Sequence, residues 1–290
     1  MASHHSERPE IQALSLARVA LPSTGATLEG ASVAGVETWI RIPEWSLGFD
    51  VGRAAPQLVS CRTLALTHAH MDHAGGLPNY LALRRMYHMP PARVLAPAEA
   101  CDDLHALVRV WEKLHGRAFD WELVPMRAGD EYDLGGGRFL RAFDADHVVP
   151  TRGYAVISRS RQLRPELAQR SEFDIAALAE QGANVSQPVE RVLLALTGDT
   201  RPTLLPSVPD LLRAEVLLHE TTFLDSQREP ADAVAKGHTH LALLVEQLAN
   251  FTGTFVPYHI SQIYPTWQAR KKVLAGLPAE LAARTLPFVP

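Results

Sequence analysis

The sequence predicts an α/β protein built as a sandwich, with two packed sheets inside and helices outside. Three observations lead there. Short β-rich runs alternate with helical patterns along all 290 residues. Turn residues close the runs, and the runs have the apolar character of strands buried against a second layer. A single doubly wound sheet satisfies the same alternation and stays open as an alternative.

Taken in order, "ETWIRI" (37–42), "SLGFDVG" (46–52) and "TLALT" (63–67) read as strands. "GGLPNYLALRRMYHM" (75–89) has helical apolar spacing, and "RVLAP" (93–97) is a strand. "AEACDDLHALVRVWEKLHG" is a longer amphipathic helix that Gly116 stops. "WELVPM" and "RFLRAFDAD" are strands around the turn "GDEYDLGGG", and "GYAVIS" follows as another. "RVLLALTGDT" (191–200) and "EVLLHETTF" (215–223) are buried strands. "THLALLVEQLANF" is a helix, "TFVPYHI" a strand and "TWQARKKVLAGLPAELAAR" a closing helix. Between them, 158–190 has several arginines and one short helical pattern, and reads as an insertion between two core strands.

Composition narrows the function. Apolar residues make up 47% and charged residues 21%, the balance of a soluble globular chain large enough for a sizeable core. The first dozen residues, "MASHHSERPE" onward, are polar and predicted disordered. They lack a signal-peptide pattern, and no apolar run reaches membrane-spanning length, so no membrane partner is expected. With only Cys61 and Cys101, a reducing cytoplasm is the expected compartment and cysteine a poor candidate for metal ligation. A net charge of −4 argues against broad non-specific nucleic-acid binding.

The chemistry concentrates in "LTHAHMDHAGGL", where His68, His70, Asp72 and His73 follow an apolar run. His68 and His70, two apart in an extended segment, leave one face. Asp72 and His73 lie where the chain turns and can face elsewhere. Imidazole and carboxylate donors without cysteine suit a catalytic rather than a structural zinc site. More donors follow apolar strand patterns: His147, Asp199 and His259. His68, His70 and His147 then fill one site, Asp72, His73 and His259 a second, and Asp199 bridges. Two divalent ions, two carboxylates and a hydroxide leave about +1, which attracts an anionic phosphodiester. Mn²⁺ or Fe²⁺ fits the same donors. His88, His105 and His115 fall on predicted helices and are read as ordinary helix residues; Cys101, Asp102 and His105 share one turn without a stronger metal signal.

These residues resemble the metallo-β-lactamase superfamily, whose His-x-His-x-Asp-His signature matches His68 to His73. "GVETWIRIP", "LGFDVGR", "GYAVIS", "TGDT", "HETTFLDS", "GHTH" and "YHISQIY" are further similar, in order, to the ribonuclease Z (tRNase Z) family, especially its short plant-type form. The resemblance covers roughly residues 30 to 265. It implies an αββα sandwich, two zinc ions, usually a homodimer, and endonucleolytic removal of 3′ trailers from precursor tRNA. The chain is then one domain over 1–290, with 158–190 in the place of the family's tRNA-gripping arm. The resemblance also implies that His238 is the catalytic histidine, Glu220 the acid that orients it, and Asp72 a proton acceptor as well as a ligand.

Two departures stand out. Ile263 occupies the position of an arginine in the family's His-x-Ser-x-Arg-Tyr pattern. The arm segment contains only Gly182, Pro165 and Pro188, although Arg159, Arg161, Arg164 and Arg170 offer phosphate contacts if they do not merely line a solvated helix face. The expected activity is a dinuclear metal-dependent phosphodiesterase acting on precursor tRNA. The alternative is a hydrolase of the same fold acting on a small phosphodiester, lactone or thioester.

Overall fold

The computed structural model describes residues 16–290, and the polar N-terminal stretch predicted to be disordered lies outside them. The first sheet begins with β1 (Ala17–Leu21), β2 (Ala26–Ala34), β3 (Glu37–Ile42) and β4 (Leu47–Phe49), all antiparallel to their neighbours. It continues in parallel through β5 (Thr63–Ala65), β6 (Ala92–Pro97) and β7 (Trp121–Met126). The parallel strands need crossovers, which α1 (Met71–Ala74), α2 (Leu77–Met86) and α3 (Cys101–His115) supply. Gly116 ends α3 in the left-handed conformation, as its position in the sequence predicts.

The second sheet mirrors this plan. β8 (Glu131–Gly135), β9 (Arg138–Ala145), β10 (Thr151–Leu163) and β11 (Ser186–Leu196) run antiparallel, with α4 (Glu172–Glu180) between the last two. β12 (Val216–Glu220) and β13 (Thr254–Tyr258) continue in parallel, linked by α5 (Leu204–Ser207), α6 (Pro230–Ala235) and α7 (Leu241–Leu244). β14 (Ile260–Ser261) crosses over and pairs with the end of β2 in the first sheet. α8 (Thr266–Ala275) and α9 (Ala279–Ala282) close the chain.

Strand alternation sorts the core into layers. Leu28, Ile40, Phe49, Leu140, Tyr154, Leu194, Val216 and Val256 meet between the two sheets. The opposite faces pack outward: Leu64 and Val94 against Tyr80, Leu104 and Val108, and Leu217 and Phe255 against Leu241, Leu244 and Val273. The result is an αββα sandwich, and the alternative of one doubly wound sheet is not formed. Among the described residues no helix is long and apolar enough to cross a membrane.

Several elements differ from their sequence reading. β1 and β2 had no predicted counterpart, and "GDEYDLGGG", read as a turn, contains β8. The helix expected over 239–251 keeps α-geometry only in α7, although Leu241, Leu244, Leu248 and Phe251 are all buried at helical spacing. The closing helix breaks into α8 and α9 at Gly276 to Pro278, where proline cannot continue the hydrogen-bond ladder. The segment 158–190 has the one short helix expected of it, but much of the rest is strand. β10 and β11 run on past the sandwich as a paired ribbon, from Ser158↔Arg191 to Leu163↔Ser186, with α4 at the tip.

The turn that carries the histidine cluster is pinned from behind. Val51 and Gly52 N–H groups donate to the His73 carbonyl at 2.8 and 3.1 Å, and Gly76 N–H donates to Gly52 O at 2.7 Å. A Cβ on Gly76 would stand 2.4 Å from Ala54 N and 2.6 Å from Arg53 C, so only glycine lets these backbones meet. Gly76→Ala should therefore lower unfolding stability by about 2–4 kcal/mol. Urea unfolding checks this; an unchanged midpoint would mean that the turn is not pinned at Gly76.

Candidate metal centre

One end of the sandwich gathers the donors. His68 and His70 follow β5, Asp72 and His73 lie on α1, His147 follows β9, Asp199 follows β11, and His259 separates β13 from β14. One ligand atom each of His68, His70, His147 and Asp199 lies within 4.8 Å of the others, and Asp72, His73 and His259 form a second such group. Asp199 touches both. Its Oδ2 is 3.7 Å from His68 Nε2 and 3.5 Å from His259 Nε2, and its Oδ1 is 3.5 Å from His73 Nε2. A third such group joins Asp199 and His259 with His238.

The imidazoles are aimed by hydrogen bonds on their far sides. His147 Nδ1–H donates to Gly237 O at 2.7 Å, leaving Nε2 free. A Cβ on Gly237 would press on His147 Nδ1 at 2.8 Å, and its φ of +81° also favours glycine. His68 Nδ1 meets Thr67 Oγ1 at 3.0 Å, and that hydroxyl is 2.9 Å from Asp50 Oδ2. His73 Nδ1 meets Asp50 Oδ2 at 2.8 Å, and His259 Nδ1 meets Thr222 Oγ1 at 3.2 Å. Such outer partners fix the tautomer and raise a ligand's basicity. Sequence reasoning missed Asp50, Thr67, Thr222 and Gly237. Asp50 did leave a signal, an acid directly after the apolar strand in "LGFD".

The inward-facing atoms fit a cation better than they fit each other. His73 Nε2 faces His259 Nε2 at 3.2 Å, and His68 Nε2 faces His70 Nδ1 at 3.0 Å. Asp199 is fully buried, and its Oδ1 has no hydrogen-bond donor among the described residues. An orphaned buried carboxylate oxygen is costly unless a cation meets it. Burial pushes the pKa of His68, His70 and His147 down, which keeps them as neutral donors. Burial also opposes charge on Asp199, but the surrounding histidines, His259 and His73 first, outweigh it and hold the acid ionised. His73 differs: against its own burial, Asp199 and Asp50 push it up to about 9. Without a cation, a proton takes the cation's place.

Beside the cluster, His238 Nδ1 is 3.1 Å from Glu220 Oε1, and its ring stacks on His259 at 5.4 Å. Glu220 is fully buried, and Thr200 N and Thr239 N also donate to it at 3.2 and 2.9 Å. His88 lies just past α2 with φ 53°, while His105 and His115 lie on α3. None of these three belongs to the cluster, nor does the Cys101, Asp102 and His105 turn. The arm arginines are not a solvated helix face. Arg159 lies on β10, 2.7 Å from Glu131 and 3.0 Å from Glu190; Arg161 bonds Asn184 and Ser186, and Arg164 lies 3.5 Å from Glu166.

The sandwich and its donor-lined rim define a metallo-β-lactamase-fold protein with a site for divalent metal. Solved structures agree on the fold. A Bacillus subtilis metallo-β-lactamase-fold protein superposes with TM-score 0.60 at 11% identity, covering 89% of this chain and 93% of that one. The short form of human tRNase Z superposes with TM-score 0.53 at 17% identity, covering 86% and 93%. No family model matches the chain. Sequence relatives are more specific. A chloroplastic tRNase Z of Arabidopsis thaliana is 32% identical over 264 residues, 90% of this chain and 74% of that protein. A second Arabidopsis thaliana tRNase Z is 32% identical over 268 residues, 91% and 95% of the two chains. The chain belongs to the tRNase Z (ribonuclease Z) family.

Cation binding is expected to depend on pH if His73 is among the donors. Its raised pKa means that it holds a proton at pH 7.5 in the metal-free protein, and ligation must release it. Affinity should rise with pH and level off above about 9, weakening up to about tenfold per unit below. Competition titrations with a divalent cation between pH 6.5 and 8.5 check this. A flat profile would show that His73 enters the site already neutral.

Proposed function

We propose that this chain is a tRNA 3′-processing endoribonuclease holding two zinc ions. The Glu220–His238 pair beside the histidine cluster carries this reading, because an ester or lactone substrate has less need of such a proton donor. His68, His70 and His147 would hold one ion and Asp72, His73 and His259 the other, with Asp199 shared. Bound there, the ions supply Lewis acidity and a nucleophile at neutral pH. Mn²⁺ or Fe²⁺ suits the same donors.

The remaining steps fall to side chains. A water oxygen attacks phosphorus while the bond to the ribose 3′-oxygen breaks. Asp72 accepts the water's proton; Gly35 N–H holds its Oδ2 at 2.8 Å. Burial opposes charge on Asp72, but the neighbouring imidazoles of His259 and His73 hold its carboxyl well below the usual range. It therefore passes the proton on rather than keeping it. The departing 3′-oxygen is a poor leaving group and takes a proton from His238. With Nδ1 held by Glu220, Nε2 is the nitrogen that can give it. Burial works against a charged His238, yet the hydrogen bond and charge of Glu220 raise its pKa above the usual histidine range. That shift favours the protonated form the step needs.

A smaller phosphodiester is the second reading. It is favoured by Arg159 and Arg161, which already have partners, although Arg170 is exposed. The 158–190 ribbon then offers a polyanion fewer free cations than its arginine count suggests. Side-by-side kinetics on precursor tRNA, an aryl phosphodiester and a lactone separate the readings. A reducing compartment such as the cytoplasm suits the two unpaired cysteines.

A homodimer also has a candidate face. On the outer side of α3, Leu107, Val110, Trp111 and Leu114 are 41%, 57%, 46% and 71% exposed at i, i+3, i+4 and i+7. Asp102 and Asp103 stand in the first turn and Lys113 and His115 in the last, so an antiparallel copy of α3 meets opposite charge at both ends.

Two outcomes are expected. His238→Ala should keep its metal but lose roughly 10²–10⁴-fold in kcat on precursor tRNA, and less on an aryl diester whose phenolate leaves easily. Equal losses on both substrates would give His238 another role. Leu114→Glu with Trp111→Glu should convert a dimer to a monomer in light scattering. If the dimer persists, another face is used.

A further inference from the structure

We propose that Thr222 is a positioning residue that couples the proton donor to the metal centre, its one hydroxyl setting both the tautomer of His259 and the pose of Glu220. The inference rests on the reading of His238 as the acid. Thr222 lies two residues beyond β12 and is buried, at 3% exposure. Its Oγ1 is 2.9 Å from Glu220 Oε2 and 3.2 Å from His259 Nδ1. Its own N–H also reaches Glu220 Oε2, at 3.1 Å.

The direction of these bonds is forced. Glu220 has five donors aimed at its two oxygens: Thr200 N, Thr222 N, Thr222 Oγ1, His238 Nδ1 and Thr239 N. It can only accept, so the single hydroxyl hydrogen of Thr222 points at Oε2. The Thr222 lone pair then accepts from His259, which puts the imidazole proton on Nδ1. That leaves His259 Nε2 bare, 3.5 Å from both Asp72 Oδ2 and Asp199 Oδ2, where a ligand nitrogen has to be. The chain His259–Thr222–Glu220–His238 thus runs one way from a ligand to the proton donor.

A second threonine shows what is particular here. Thr67 makes the same kind of link in the other sheet, from His68 to Asp50, but Asp50 ends on His73, another ligand. Among the described residues, Thr222 links a ligand histidine to the carboxylate that holds the one clustered histidine outside the ligand set. Replacing the hydroxyl by a methyl leaves His259 Nδ1 buried without a partner and sets a methyl against Glu220 Oε2, which keeps only the Thr222 N–H as a donor.

The experiment compares Thr222→Val, of nearly equal volume, with Thr222→Ser, which keeps the hydroxyl. In metal-free protein, nitrogen NMR of the histidine rings reads the His259 tautomer, and cation affinity is measured by competition. In the metal-loaded enzyme, kcat is compared on precursor tRNA and an aryl diester. Thr222→Val should mix the His259 tautomers, weaken cation affinity about 10–100-fold, and lower kcat more on the poor leaving group. Thr222→Ser should restore all three. A folded Thr222→Val protein in which affinity alone or the leaving-group ratio alone changes would overturn the coupling, as would one in which neither does. If valine prevents folding, Thr222→Ala is read the same way. Loss of the leaving-group difference between wild type and His238→Ala would instead sink the acid assignment, leaving the tautomer and affinity readouts to test Thr222 alone.

Discussion

A buried carboxylate organises this molecule. Asp199 is removed from water at the end of β11, and its charge must be met inside the protein. Five imidazoles answer it: His68, His73, His147, His238 and His259 all stand within 4.0 Å. They come from both sheets, so the charge is balanced only when the sandwich is closed. The same requirement explains why the donors do not titrate alike. Histidines on one side are kept neutral by burial, whereas His73, between Asp50 and Asp199, holds a proton. Folding therefore builds a site in which one proton stands where a metal ion belongs.

Much of this was legible in the sequence because the clustered donors follow strands. An apolar run ending in His or Asp marks a side chain delivered to a sheet edge, and His68, His147, Asp199 and His259 all fit that description. The partners behind them were harder to see. Asp50 has a φ of 54°, a turn in the backbone that an apolar strand pattern does not announce. Thr67 and Thr222 look like ordinary threonines; only their distances to imidazole and carboxylate give them a role. Helical spacing misled at 239–251 for a related reason. It reports which side chains are buried, and Leu248 and Phe251 are buried although the backbone there has left α-geometry. The turn reading of "GDEYDLGGG" failed because glycines flank β8 rather than interrupt it.

Net charge also proved a poor guide to where charge is used. The chain carries −4 overall, yet Arg159, at the root of the arm, is spent on ion pairs with acids of the neighbouring strands. Arg141, Arg159, Glu131 and Glu190 form a closed square across β8 to β11, and the hydrogen bond from Arg159 lowers the Glu131 pKa to about 2. This square fastens the base of the ribbon. Charge that composition would offer to a polyanion is instead spent on holding two strands together.

The ribbon has a mechanical side. Its register shifts between Val156 and Ile157, while beyond that point the ladder is unbroken to Leu163↔Ser186. Bulges bend and twist a strand locally, so this one sets the direction in which the ribbon leaves the sheet. Pairing with β9 ends at Ser158↔Arg138, and the five residues from Arg159 to Leu163 then project about 17 Å. The helix at the tip is thus held at arm's length from the metal centre.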